Sequence, residues 1–174
     1  RLLDVSDLTN PSPPQTQTMY AIRDGTLQQF STTGLPIQPR VTMSPVEADG
    51  VSGIAGGAPN GWFHDLANIT GDSERIVVDP QSNVNVAAYV GTLVQEDPCI
   101  ISLPAKLYAR DYTTGEALTQ DSGGAIVASI DFPKGLVDIE TVGMIQADGS
   151  QVIGIIGSQE VPGIKPAPIK NKYT

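Results

Sequence analysis

The chain has 174 residues, 40% of them hydrophobic, which is enough for one domain with a buried core. Its 19 acidic residues outnumber its 10 basic ones, for a formal net charge of −9. This balance excludes nucleic acid as the main partner, because phosphate binding requires a basic surface. One cysteine and one histidine cannot form a His/Cys zinc cluster, and no run approaches the roughly 18 apolar residues of a membrane span. We therefore expect no metal, no cofactor and no membrane insertion.

Both ends of the chain are rich in proline. Residues 1–17 contain three prolines among small polar residues and predict an extended linker or arm. Residues 162–174 carry three prolines and three lysines and predict an extended tail. The domain itself is expected to span residues 18–161. Because the chain begins at Arg1 without an initiator methionine, we also expect it to be a fragment of a larger polypeptide.

Between these ends, short runs rich in Val, Ile, Thr and Tyr alternate with Gly, Pro, Asn and Asp, which is typical of strands and turns. We predict an all-β fold, a single antiparallel β-sandwich or barrel (jelly-roll-like) of about ten strands. A helical turn is predicted at 62–69. Hairpin turns are expected at Asp24-Gly25, Thr114-Gly115 and Asp148-Gly149. The predicted strands are 18–23, 26–31, 41–43, 75–79, 84–94, 99–103, 105–110, 124–131, 135–146 and 150–157.

Residues 44–61 contain five glycines and predict a long loop. Such a loop is either functional or a disordered surface excursion, and both interpretations stay open here. Strands 84–94 and 135–146 are long, and we expect them to expose edges that self-association would cover. Exposed loops supply the candidate binding residues, which are Asp24, Asp49, Asn60, Trp62, Thr114 and Asp148.

The stretch TQDSGGAIVA contains Asp121-Ser122-Gly123-Gly124, which resembles the nucleophile loop of chymotrypsin-like serine proteases. In such an enzyme Ser122 is the nucleophile and His64, the single histidine, is the general base. However, Gln120 occupies the position of the family's oxyanion glycine, and the histidine motif is absent. Asp, Ser and Gly each favour turns, so we interpret this stretch as a turn and predict no catalytic residue. A small serine protease is the second alternative.

The segment LTNPSPPQTQT (8–18), followed by an acidic chain of strands without disulfides and a Pro/Lys tail, resembles the protruding domain of small icosahedral RNA-virus capsids, in the nodavirus and tombusvirus class. The resemblance implies a spike on the virion surface. It also implies that copies of the domain form dimers or trimers and bind a host receptor or glycan. The alternative is a secreted or surface carbohydrate-binding or adhesive β-module, because Gln, Ser, Thr and Asn side chains suit hydrogen bonding to sugars.

Overall fold

A computed structural model describes residues 16–23, 43–66, 68–69, 72–83, 85–95, 103–145 and 151–157. No helix occurs in these ranges and all strand pairs but one are antiparallel, so the predicted all-β fold is confirmed. The strands in these ranges are β1 (Thr18–Ile22), β2 (Ser44–Pro45), β3 (Gly61–Asp65), β4 (Asn68–Ile69), β5 (Asp72–Ile76), β6 (Gln81–Asn83), β7 (Val86–Gln95), β8 (Ala105–Asp111), β9 (Thr119–Gln120), β10 (Ile126–Val127), β11 (Ile130–Phe132), β12 (Ile139–Ile145) and β13 (Gln151–Gly157).

Six strands form a central antiparallel sheet in the order β11-β8-β7-β5-β4, with β6 also paired to β7. The ten-residue β7 lies in the middle of this sheet. Alternate residues of β7 face opposite sides of the sheet: Ala88 and Val90 face one side, and Ala87 and Tyr89 face the other. All four side chains are buried. Both faces of the sheet are therefore covered, which accounts for the nearly continuous apolar sequence of β7.

The β12–β13 pair covers the first face of the central sheet. These strands pair antiparallel from Ile139 opposite Gly157 to Ile145 opposite Gln151. The strands of the predicted hairpin are thus confirmed, although the Asp148-Gly149 turn lies outside the described residues. Ile155 packs against the buried cluster on this face, which consists of Val78, Ala88, Val90, Ala105, Leu107, Phe132, Leu136 and Ile139.

A small sheet in the order β1-β3-β2 covers the second face. Ala21 of β1 lies opposite Trp62 of β3, and both side chains point inward. The buried cluster that they join consists of Ala58, Trp62, Leu66, Ala87, Tyr89 and Tyr108. The described strands thus form three layers, with the six-stranded sheet in the middle, and no closed barrel.

The β1–β3 contact depends on a glycine. Gly61 has a φ of 99°, a backbone conformation that other residues rarely adopt. A Cβ added at Gly61 would lie 2.0 Å from the carbonyl oxygen of Ala21. The glycine therefore lets the loop that precedes β3 enter the sheet next to β1.

Several predictions about elements are wrong. Residues 62–69 form β3 and β4 instead of a helical turn, because Trp62 and Phe63 alternate between the inner and outer faces of a strand. Strand 84–94 corresponds to β7, which is paired on both sides and exposes no edge. The predicted strand 124–131 is divided into β10 and β11. Predicted strands 26–31 and 99–103 lie largely or wholly outside the described residues.

Candidate binding cleft

The glycine-rich loop after β2 is ordered by its own side chains. The carboxylate of Asp49 accepts hydrogen bonds from the amide nitrogens of Val51 (2.9 Å) and Ser52 (2.8 Å) and from Ser52 Oγ (2.5 Å). These hydrogen bonds lower the pKa of Asp49, with the Ser52 side chain contributing most. Asp49 is exposed, as predicted, but the contacts that it makes here fix the loop.

The same loop is held against the hairpin that follows β8. The amide of Ile54 donates to the carbonyl of Thr114 (2.9 Å), and the amide of Ala58 donates to the carbonyl of Thr113 (3.1 Å). Thr114 is therefore half-buried at a contact between two loops. The interpretation of 44–61 as a disordered excursion is wrong for the part after β2, because backbone hydrogen bonds tie it to the hairpin.

Trp62 is buried and is not the exposed binding residue that we predicted. Its side chain has 0% exposure and lies between the small sheet and the central sheet. The indole Nε1 donates a hydrogen bond to the carbonyl oxygen of Tyr112 at 2.9 Å. Side chains alternate between the two faces of β3, and Trp62 lies on the inner face. There Trp62 holds the hairpin that carries Tyr112.

A cleft of about 880 Å³ opens where this loop, the hairpin, β1 and the central sheet meet. Gly56 and Gly57, with φ of 77° and 80°, form part of its wall, and no atom lies within 4 Å of the position that a Cβ would take at either. The glycine pair therefore leaves the wall open to a ligand. The described lining residues are 19–23, 56–59, 61, 82, 83, 86, 87, 112 and 113.

The cleft combines exposed apolar surface with short polar groups. Six large hydrophobic residues are exposed in the described part of the chain, and three of them, Tyr20, Ile22 and Tyr112, line the cleft. Ser82, Asn83 and Thr113 add hydroxyl and amide groups to the same lining. The Asn83 side chain also donates to the carbonyl of Thr141 at 3.4 Å. Concave sites with aromatic surface and a few polar groups are typical of binding sites for small ligands.

His64 belongs to a separate polar network between the layers. Arg110 Nε donates to the Tyr89 hydroxyl oxygen at 3.0 Å, and this hydroxyl lies 2.6 Å from His64 Nδ1. The rings of Tyr89 and Tyr108 stack with centroids 5.0 Å apart. The Tyr108 hydroxyl donates to Glu74 Oε1 at 2.7 Å. Which of the two groups donates in the His64–Tyr89 hydrogen bond depends on the tautomer of the imidazole.

Burial shifts the titration of this network away from neutral pH. It lowers the pKa of His64 from 6.5 to about 4, and the Arg110 cation acts in the same direction. Burial also raises the pKa of the Tyr89 and Tyr108 hydroxyls well above their usual value of 10.0. At neutral pH the imidazole and both phenols are therefore uncharged, and the network contains no phenolate nucleophile.

The Asp-Ser-Gly-Gly stretch forms the turn between β9 and β10, as predicted. Asp121 Oδ1 accepts hydrogen bonds from the amides of Gly123 (2.8 Å) and Ala125 (2.9 Å). Ser122 is exposed at the tip of this turn. The hydrogen-bond partner of His64 is Tyr89, so the contacts of the described residues do not join His64 and Ser122 into a nucleophile–base pair.

The other predicted site residues fall in different places. Asn60 is half-buried between two residues that line the cleft, Pro59 and Gly61. Asp24 and Asp148 lie outside the described residues. Within the described ranges, no three His, Cys, Asp or Glu side chains gather at a possible metal site. No helix in those ranges is long and apolar enough to cross a membrane.

Sequence reasoning missed most of the residues that shape the cleft. Tyr20, Asn83 and Tyr112 lie far apart along the chain, and their segments come together only through the pairing of β1 with β3, of β6 with β7 and of β7 with β8. One available signal was Tyr112, an aromatic residue two positions before Thr114 of the predicted Thr114-Gly115 turn. Turn residues are usually polar, so an aromatic side chain there indicates a contact role.

Comparison with known proteins found no match to a protein-family model, a curated protein or a solved structure.

Proposed function

We propose that this protein is a non-enzymatic attachment domain that binds a glycan, free or on a host receptor, in the cleft. The observation that carries the proposal is that the exposed Tyr112 lines the cleft together with Asn83 and Thr113. A phenol ring packs against the apolar face of a sugar, while amide and hydroxyl groups exchange hydrogen bonds with its hydroxyls. The cleft volume of about 880 Å³ suits an oligosaccharide of a few units.

A glycan array probed with the purified chain tests this proposal. We expect binding to a subset of glycans, and at least a tenfold loss of affinity for Tyr112→Ala, because the exposed ring supplies the stacking surface. Ile126→Ala is the matched control, since Ile126 is also exposed but does not line the cleft. Equal losses in the two variants, or no binding to any glycan at millimolar concentration, would overturn the proposal.

The biological setting is also a proposal. From the resemblance of the sequence to capsid protruding domains, we propose that the cleft belongs to a virion spike formed by copies of this chain. A secreted or surface carbohydrate-binding module is the alternative. The all-β layers are compatible with both settings. A coding sequence in which a shell domain precedes residue 1 would support the spike, and sedimentation at high protein concentration tests the self-association.

A further inference from the structure

We infer that Asn60 is a site of spontaneous deamidation, that the folded chain suppresses the reaction, and that the isoaspartate product disrupts the start of β3. Asn60 is the one asparagine of the chain that is followed by glycine. A glycine has no side chain to hinder the approach of its own amide nitrogen to the preceding carboxamide, and its backbone moves freely. The chemistry of this pair is therefore intrinsically favourable, and the fold decides whether it proceeds.

The reaction joins groups of two adjacent residues. Hydroxide removes the amide proton of Gly61, and the nitrogen attacks the carboxamide carbon of Asn60. A C–N bond forms to Gly61, the C–N bond to the carboxamide nitrogen breaks, and ammonia leaves with a proton from water, which regenerates hydroxide. The cyclic imide then adds one water molecule and opens to aspartate or to isoaspartate. Water and hydroxide are the only other reactants.

The folded chain holds the attacking nitrogen in a hydrogen bond. The amide of Gly61 donates to the carbonyl oxygen of Ala58 at 3.0 Å and closes a turn over residues 58–61. The amide of Ala58 donates in turn to the carbonyl of Thr113 at 3.1 Å, which fixes this turn to the hairpin after β8. Because the Gly61 proton must leave before the attack, the reaction starts from molecules in which the turn has opened.

The isoaspartate product does not fit the backbone at this position. Gly61 lies opposite Ile22 in the pairing of β1 with β3, and a Cβ added at Gly61 would lie 2.0 Å from the carbonyl oxygen of Ala21. Isoaspartate adds one carbon to the backbone directly before Gly61. The turn must then move away from β1, and the hydrogen bond from Gly61 to Ala58 is lost. We therefore expect the modified chain to be less stable.

Peptide mapping by mass spectrometry tests the site and its suppression. The purified chain is incubated at pH 8.5 and 37 °C, folded and in 8 M urea, and a synthetic peptide of residues 56–64 measures any effect of urea on the chemistry itself. We expect Asn60 to react about tenfold faster or more in the unfolded chain. Asn83 and Asn85, each followed by valine, are internal controls and should react far more slowly in urea.

Hydrogen exchange of the Gly61 amide provides a quantitative check. Both exchange and deamidation begin with removal of the same proton, so the suppression of deamidation in the folded chain should match the protection of this amide. Equal rates for Asn60 in the folded and unfolded chain would overturn the inference. A rate for Asn60 in urea no greater than that of Asn83 would overturn it as well.

The structural consequence has its own test. The chain that has been deamidated in urea is refolded, and the isoaspartate form is separated from the aspartate form by ion exchange. We expect a lower urea midpoint for the isoaspartate form than for Asn60→Gln taken through the same incubation. Equal midpoints would overturn this part of the inference. Since none of these measurements involves a glycan, their outcome is independent of the proposed function.

Discussion

At the scale of single residues, the conformational stability of this protein should depend on the protonation of His64. The imidazole is largely buried, and a protonated ring would carry its charge in this buried place and face the Arg110 cation. The pKa of His64 is about 4 in the folded chain, against 6.5 for a histidine surrounded by water, as in the unfolded chain. Between these values the unfolded chain binds more protons, so the stabilisation is complete above about pH 6.5 and decreases as the pH falls towards 4.

The gap between the two pKa values corresponds to about 3 kcal/mol of unfolding free energy. Urea unfolding at pH 7.0, 5.5 and 4.5, for the wild type and for His64→Gln, measures this quantity. We expect the wild type to lose up to that amount relative to the variant as the pH falls, because glutamine does not titrate. Parallel pH profiles for the two chains would show that His64 makes no such contribution.

At the scale of elements, one carboxylate oxygen makes three of the hydrogen bonds that shape the hairpin after β8. Asp111 Oδ1 accepts three hydrogen bonds from Thr113 and Thr114. Asp111→Ala removes all three, and we expect a loss of about 1–2 kcal/mol in unfolding free energy together with weaker glycan binding, since the turn positions Tyr112. Asp111→Asn keeps one acceptor oxygen and is the matched control. Equal glycan affinity for the wild type and Asp111→Ala would contradict the positioning role.

Elements with strong local signals were predicted from the sequence, whereas those that depend on distant partners were not. β7 and β8 were predicted within two residues, β7 from its long apolar run and β8 from its place before the Thr114-Gly115 turn. β4, β9 and β10 have two residues each and exist only through pairing, which no local pattern specifies.

The candidate site follows the same division. The glycine-rich loop and the Thr114 turn were predicted as loops of interest, and the structure brings them together through the Ile54–Thr114 hydrogen bond. Trp62 was assigned to the surface because it follows that loop, and only its pairing opposite Ala21 shows that it is buried.

At the scale of the whole molecule, Arg110 connects the central sheet with both the loop and the small sheet. It is fully buried, and Nη1 donates to the carbonyl oxygens of Gly50 (3.1 Å) and Gly115 (2.9 Å). Through Nε it also binds the Tyr89 hydroxyl, which contacts His64 of the small sheet. A burial of this kind costs desolvation energy, but removing the cation alone leaves its acceptors without a donor.

Arg110→Met should therefore destabilise the fold by about 3 kcal/mol. Leaving the buried carbonyl groups without a donor costs more free energy than is gained when the charged guanidinium is no longer buried. Lys106→Met, which removes a half-buried cation from the same strand, is the control and should change stability by less than about 0.5 kcal/mol. Since Arg110 joins three parts of the molecule, we expect Arg110→Met to lose protection from hydrogen exchange in the loop, the hairpin and the β1–β3 sheet together. Loss of protection in the loop alone would mean that the layers are held together by apolar packing and that Arg110 anchors only the loop.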